Sequence, residues 1–262
     1  MRGCIERFRH QRLLEAQTKE QEALLRVLCH DLCNSVGASL TALQTIATST
    51  SEKERATWLD LGLTATRSAL DLIGHVAEYR TLLDETRPFK IEPVDVARAC
   101  EESLSVLRPA ASAKGVQLLL DVPADLTLVA NRVVLVHNVI NNLVNNAIKF
   151  SRPGDRIWLA ASRQPSPTGP ECVLTVRDEG IGIPPAILAK LLRRQPVVSR
   201  PGTAREPGTG MGVTLVELYV RRCGGRVRIE SSVASPGPPP TPSGTCVTLW
   251  FPADAPAPPA SP

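Results

Sequence analysis

Asn138, Asn142, Asn146 and Lys149 recur at steps of three or four residues, the spacing that brings helical side chains onto one face. The segment around them, residues 132–150, is otherwise aliphatic, yet "NNLVNNAIKFS" (141–151) has Asn at four of its first six positions. Asparagine is a poor helix former, because its short amide competes for nearby backbone groups. A merely solvated face would carry Lys, Glu and Arg. Amide oxygens are hard ligands suited to Mg²⁺, which takes few protein ligands and binds alongside phosphates. An ammonium nearby can meet phosphate oxygens. The stripe is therefore a candidate metal–phosphate site, with Leu135, Val139, Leu143, Ala147 and Phe150 on the apolar side of the same helix.

Two further stretches point the same way. "RDEGIGIP" (177–184) puts Asp178 at the end of a strand pattern, followed by Gly180 and Gly182. "EPGTGMGVTLV" (206–216) puts Gly208, Gly210 and Gly212 at the start of a helix, where free N–H groups and the helix dipole favour an anion. Alone, the first is an ordinary turn with an acid in it and the second a flexible loop. All three in this order and spacing are a specific combination.

The elements that must hold these residues fall into two halves. Residues 5–48 read as helix, with an apolar stripe at Leu24, Leu25, Leu28, Leu32, Val36, Leu40, Leu43 and Ile46 at the helical period. "TSTSEKE" (48–54) is a turn with capping residues. A second helical pattern runs through Trp58, Leu61, Leu63, Ala65, Leu70, Leu72, Ile73, Val76 and Leu82. Such a hairpin has a broad apolar face and little to cover it, so pairing with a second copy into a four-helix bundle is its natural completion. "DETRPFKIEP" (84–93) carries two prolines and marks a domain boundary. Beyond it, a helix over 94–115 is followed by strands at 116–122 and 126–130 and by the Asn-rich helix at 131–150. Strands at 156–162 and 171–180 come next, then a helix from the glycine loop to "CGG" (223–225), then strands at "RVRIESS" and "TCVTLWF". Without regular βα pairs this reads as a two-layer α/β sandwich rather than a doubly wound sheet. The Pro-rich tail reads as disordered.

Composition narrows the function classes. Net charge is +4, from 30 basic and 26 acidic residues, and aromatics make up 3%. Neither the charge balance nor the scarce aromatics fit a nucleic-acid platform. No apolar run approaches the ~18 residues of a membrane span, and the charged N-terminus is not a secretory signal. Seven scattered cysteines without a CxxC pair read as small hydrophobes in a reducing cytosol.

With these residues in view, the chain resembles the sensor histidine kinases. "NNLVNNAIKFS" is similar to their N box, "DEGIGIP" to their G1 box and "GTGMGV" to their G2 box, over residues 92–252 or so. The resemblance implies the ATP-binding fold shared with Hsp90 chaperones, type II topoisomerases and MutL proteins. It implies that Asn146 holds Mg²⁺ with Asn142 beside it and that Lys149 approaches the phosphates. Asp178 would accept the adenine amino group, and Gly180 and Gly182 would let the backbone pass the base. Gly208, Gly210 and Gly212 would cradle the phosphates. "LCHDLCNSVGASL" (28–40) resembles the H box through His30, Asp31 and Asn34. Imidazole is a competent nucleophile near neutral pH. An adjacent carboxylate can accept the Nδ1 proton and leave Nε2 free to attack a γ-phosphate.

The expected organisation is α+β. A connecting helix (1–21) leads to a dimerising phosphotransfer hairpin (22–86), an ATP-binding domain (92–253) and a disordered tail (254–262). The expected function is a cytoplasmic, homodimeric, ATP- and Mg²⁺-dependent kinase. It would phosphorylate His30 and pass the phosphoryl group to an Asp of a response regulator receiver domain, with possible phosphatase action through Asn34. No sensor domain is read in the chain. Departures from the family pattern are Cys33 and Ser35 in the H box, where a basic residue and Pro are usual. The lid (186–208) lacks the usual aromatic pair, and Leu188, Leu191 and Leu192 are the candidates to pack in its place. These leave an alternative, a catalytically weak phosphotransfer or binding module. A serine kinase of the anti-sigma type would lack the hairpin. A third alternative is a metal or redox sensor, because Cys29 and Cys33 flank His30 and could join it on zinc.

Overall fold

The computed structural model describes residues 28–84, 86, 88–167, 169–193, 200, 202–204, 206, 210–234 and 242–253. The connecting helix, the tail, Leu24, Leu25 and Gly208 lie outside the described residues. The chain divides into two compact units. One runs to Val76 and takes in Lys190–Arg200 and Pro207–Gly210; the other holds Ala77–Ala189, Pro201–Glu206 and the chain from Met211.

In the first unit, α1 (residues 28–48) is unbroken through Ser35 and Gly37. Helix α2 (Glu52–Leu83) begins where Ser51 Oγ accepts the Glu54 amide at 3.4 Å, with Glu52 and Glu54 in its first turn. An oxygen cap and early acids suit a helix start. The two helices meet through small residues. Ala42 is fully buried, and a Cβ on Gly62 would lie 3.1 Å from the Ala42 methyl. Ser39 Oγ and Thr66 Oγ1 are hydrogen-bonded at 3.0 Å beside them. Leu28 and Leu72 are buried, but many larger apolar residues remain outside: Val36, Leu40, Leu43, Leu61, Leu63, Leu70 and Ile73 are 47–63% exposed.

In the second unit, five strands form one sheet in the order β2-β4-β5-β7-β6. They are β2 (Gln117–Asp121), β4 (Arg156–Gln164), β5 (Glu171–Asp178), β6 (Arg226–Ser232) and β7 (Gly244–Pro252). Only β2 and β4 run parallel; the other neighbours are antiparallel. Alternation along the strands buries Ile157, Leu159, Leu174, Val176, Leu249 and Phe251 on one face. Helices cover that face, giving the two layers expected. Helix α3 (Val96–Lys114) contributes Val96, Ala99, Cys100 and Leu104, and α7 (Gly212–Arg222) contributes Leu215, Val216, Tyr219 and Val220. Helix α6 (Pro185–Leu192) carries the predicted lid leucines; Leu192 is 60% exposed and Leu188 and Leu191 half-buried.

Two features differ from the sequence reading. Residues 94 and 95 do not open α3 but end a strand, β1 (Glu92–Asp95), paired antiparallel with β3 (Thr127–Ala130) in a separate two-stranded sheet. The Val94–Leu128 pair is buried, and Asp95 then caps α3 by accepting the Arg98 amide at 2.9 Å. The Asn-rich segment is also not one regular helix. It comprises α4 (Arg132–Val134), a π-helical stretch (Leu135–Ile140) and α5 (Asn141–Phe150), with the Asn141 amide bonded to Val136 O.

The hairpin analysis yields a first prediction. Ala42→Leu should overfill the site against Gly62 and destabilise the chain by about 1–3 kcal/mol, read as a lower thermal midpoint. An unchanged midpoint would show that the helices are not in close contact there.

Candidate functional site

The composite helix 132–150 is built to be buried on a wide face. Leu135, Val136, Val139, Ile140, Leu143, Val144, Ala147 and Ile148 are all at most 5% exposed. Its amides are therefore confined to what remains, and they divide into groups. Asn141 accepts the Ser103 hydroxyl at 2.6 Å, tying the helix to α3. Asn138 donates to Glu78 Oε1 at 2.8 Å. It is therefore committed to the protein itself, within the π-helical stretch. Asn145 is exposed. Asn142 gives Nδ2 to the Asn138 carbonyl at 2.6 Å and keeps Oδ1 without a partner among the described residues; the Asn146 amide likewise makes no hydrogen bond there.

These two uncommitted amides face the start of α7. A Cβ on Gly212 would lie 3.2 Å from Asn142 Oδ1 and 3.5 Å from Asn146 Nδ2. No side chain caps α7, whose N-cap is Met211. Open amide oxygens beside an uncapped helix N-terminus are the donor set that a divalent cation with phosphates requires. Gly210, one residue before Met211, has φ +68°, a conformation that favours glycine. Lys149 sits at the far end of α5 with its ammonium 5.1 Å from the Phe150 ring centroid.

Asp178 closes β5 and is 9% exposed. Its Oδ1 accepts the Gly180 amide at 2.9 Å and the Thr245 amide at 3.1 Å, while Oδ2 has no partner among the described residues. Burial pushes the carboxyl up to about 6, against the two N–H bonds, which lower it; the charge of Asp155 raises it further. Gly180 and Gly182 are required by the protein's own packing. A Cβ on the first would be 2.5 Å from Phe150 O, and on the second, at φ +70°, would run into Ser232 O. The loop is held from behind by Ser231, whose Oγ accepts the Ile183 amide at 2.8 Å. Asp178, Asn142, Asn146 and Gly212 thus all lie in one unit. A buried carboxylate with an open oxygen fits the amino group of a purine, and the amide pair fits Mg²⁺ and phosphate.

His30 lies in the other unit, on α1, with its side chain 66% exposed. Its Nδ1 is 3.2 Å from Asp31 Oδ1. The Asn34 amide nitrogen is 3.2 Å from Nδ1 and 3.4 Å from Nε2, so it lies beside the ring. Asp31 is only 13% exposed, and its Oδ2 is buried without a partner among the described residues. With Nδ1–H donated to Asp31, Nε2 carries the lone pair. Cys29 and Cys33 are exposed rather than buried hydrophobes. Even so, among the described residues no group of three or more His, Cys, Asp or Glu side chains could hold a metal. No helix among them is long and apolar enough to cross a membrane.

The raised pKa of Asp178 has a measurable sign. Between the ordinary carboxylate value of about 3.9 and about 6, the folded chain holds a proton that the unfolded chain has lost. Stability therefore falls as pH rises through that window and stays lower above it. Asp178→Asn keeps the Oδ1 acceptor and removes the charge. It should stabilise the nucleotide-free chain at pH 8 by roughly 1–3 kcal/mol, and by less at pH 5, in paired thermal melts. A loss of stability at pH 8 would contradict the account.

Comparison with known proteins identifies the second half of the chain. Residues 131–255 match the family described as histidine kinase-, DNA gyrase B-, and HSP90-like ATPase. The chain is 27% identical over 224 residues to the swarming motility regulation sensor protein RssA of Serratia marcescens, covering 86% of this chain and 46% of that protein. It is 26% identical over 190 residues to the circadian input-output histidine kinase CikA of Synechococcus elongatus, covering 70% and 23%. This chain therefore spans less than half the length of either relative. Among solved structures, histidine kinase AdeS of Acinetobacter baumannii shares the fold, with TM-score 0.63 at 16% identity over 86% of this chain and 98% of that one. Residues 131–255 are thus an ATPase domain of that description, and the chain as a whole is similar to sensor histidine kinases.

Proposed function

We propose that the chain is an ATP-dependent protein-histidine kinase that phosphorylates His30 and passes the phosphoryl group to an aspartate of a response regulator receiver domain. The observation that carries this reading is the pairing of two arrangements in one chain. One is a buried carboxylate with an open oxygen, Asp178, in the same unit as uncommitted amides at an uncapped helix start. The other is an exposed imidazole oriented by a carboxylate, His30 with Asp31.

In this reading Asp178 Oδ2 accepts the adenine amino group. Asn142 and Asn146 face the phosphates, and by their likeness to the family's motif Gly208, Gly210 and Gly212 are assigned the cradling of the phosphates. Lys149 approaches the phosphates from α5. Asn146 would hold Mg²⁺, which would supply neutralisation of phosphate charge. His30 Nε2 attacks the γ-phosphorus in line as the bond to the β-phosphate oxygen breaks and ADP leaves. Asp31 holds the Nδ1 proton and so keeps the lone pair on Nε2. Asn34 cannot act as a base, but its amide can hold a water in line with a phospho-aspartate on a docked regulator. The exposed leucines of the hairpin support a homodimer, since a second copy would complete a four-helix bundle. Residues 22–86 serve as the phosphotransfer hairpin and 92–253 as the ATP-binding domain.

Variants separate the roles. His30→Ala should abolish labelling from Mg-ATP. Asp31→Asn should slow autophosphorylation, by about 10²–10⁴ if general-base assistance has its usual size. Asn34→Ala should spare autophosphorylation and slow dephosphorylation of the regulator. Equal small losses for Asp31→Asn and Asn34→Ala in both assays would reduce the pair to helix-surface residues. Asp178→Asn should raise the nucleotide dissociation constant by an amount worth about 1.5–3 kcal/mol, and unchanged affinity by calorimetry would remove Asp178 from the site.

A further inference from the structure

The carbonyls that end α5 have no helical partner of their own, and they are taken up in an unusual way. Lys114, the last residue of α3, reaches across and donates to Ile148 O at 2.9 Å and Lys149 O at 2.7 Å. Its third proton goes to Glu206 Oε1 at 2.5 Å. The ammonium is thus fully used at three acceptors, and the Lys114 side chain is 13% exposed. Lys149 O also accepts the Thr203 amide at 3.0 Å and its hydroxyl at 3.2 Å. Ser151 O accepts the same hydroxyl at 2.5 Å. Phe150 O takes the Ile181 amide at 3.0 Å, from the loop that follows Asp178.

Glu206 organises the other side of this junction. Its Oε2 accepts the Ala204 amide at 2.8 Å and its carbonyl accepts the Gly202 amide at 2.9 Å. Gly202 is packed so closely that a Cβ would meet Glu206 Oε2 and Lys149. Burial raises the Glu206 carboxyl, but the Lys114 hydrogen bond, the backbone N–H bonds and the Lys114 charge outweigh it, and the net direction is down. Glu206 is therefore ionised at neutral pH. A cation at a helix C-terminus is also favoured by the helix dipole.

We infer that the Lys114–Glu206 pair positions the nucleotide, by locking Gly202, Thr203, Ala204 and Glu206 onto the last turn of the asparagine helix. The lock sets the end of α5, which carries Lys149 and contacts the Asp178 loop through Ile181. It thereby fixes the span between the amide pair at the phosphate end and Asp178 at the base end. Neither residue need touch nucleotide; both are positioning residues. The inference rests on the nucleotide site proposed above. Lys114 lies 35 residues before Lys149 and Glu206 lies 57 after it, so no local pattern couples them.

The test uses the full chain with Lys114→Met and Glu206→Gln, and two readouts. Hydrogen exchange without nucleotide should accelerate at the Thr203 and Ala204 amides by about tenfold or more, with β5 amides within about twofold of the parent. The dissociation constant for a non-hydrolysable ATP analogue with Mg²⁺ should rise about fivefold or more in Lys114→Met and by less in Glu206→Gln. Unchanged exchange at Thr203 and Ala204 would overturn the lock. Faster exchange there with unchanged affinity would overturn the positioning role, and so would acceleration that extends equally to β5, which is general destabilisation. A parent chain that binds no nucleotide would instead overturn the proposed site itself and this inference with it.

Discussion

One helix has to be buried and to keep its amides free, and much of the second unit follows from that conflict. Residues 132–150 bury two aliphatic rows against the sheet. A regular helix doing so would stack Asn138, Asn142 and Asn146 on one narrow stripe. Here a π-helical stretch (Leu135–Ile140) interrupts the regular turns, and Asn138 within it donates to Glu78. Asn142 Nδ2 occupies the Asn138 carbonyl. What is left uncommitted is Asn142 Oδ1 and the Asn146 amide, opposite Gly212. π turns inside helices are frequent at functional sites, and here structural amides and available ones stand on the same composite helix.

The same trade appears at Asp178. A carboxylate that is 9% exposed and raised to about 6 is an unfavourable residue for folding near neutral pH. Two backbone N–H groups offset only part of that burial, and both go to the same oxygen. The arrangement makes sense as a site kept open for a donor from outside the chain. Binding residues commonly carry such a stability penalty, and removing it stabilises the fold while weakening function. The glycines around it belong to the scaffold, since strand β6 and the end of α5 approach too closely for any side chain.

How much of this the sequence could disclose depends on how local each cause is. The strands, the hairpin and the glycine-rich turns follow from short-range patterns, and the two-layer sandwich follows from their order. Helical spacing alone shows neither a π turn, which is set by packing on both flanks, nor which amides are taken by distant partners such as Ser103 and Glu78. Strand β1 was hidden because "PVD" before an apolar helix looks like a helix start; only Leu128, more than thirty residues on, makes Val94 a strand residue. The partnership of Lys114 and Glu206 joins two ordinary-looking charges from distant segments. The exposure of Cys29 and Cys33 departs from the usual burial of cysteine, and it follows from the face of α1 on which His30 is also displayed.

The central claim is that nucleotide held at Asp178 and the amide pair phosphorylates an imidazole on the hairpin. The chemical nature of the phosphorylated bond tests it most directly. The full chain, incubated with Mg²⁺ and γ-labelled ATP, should take up label that is lost in acid, survives alkali and maps to the peptide containing His30. Label that survives acid, or no label at all under conditions where the nucleotide binds, would contradict the account.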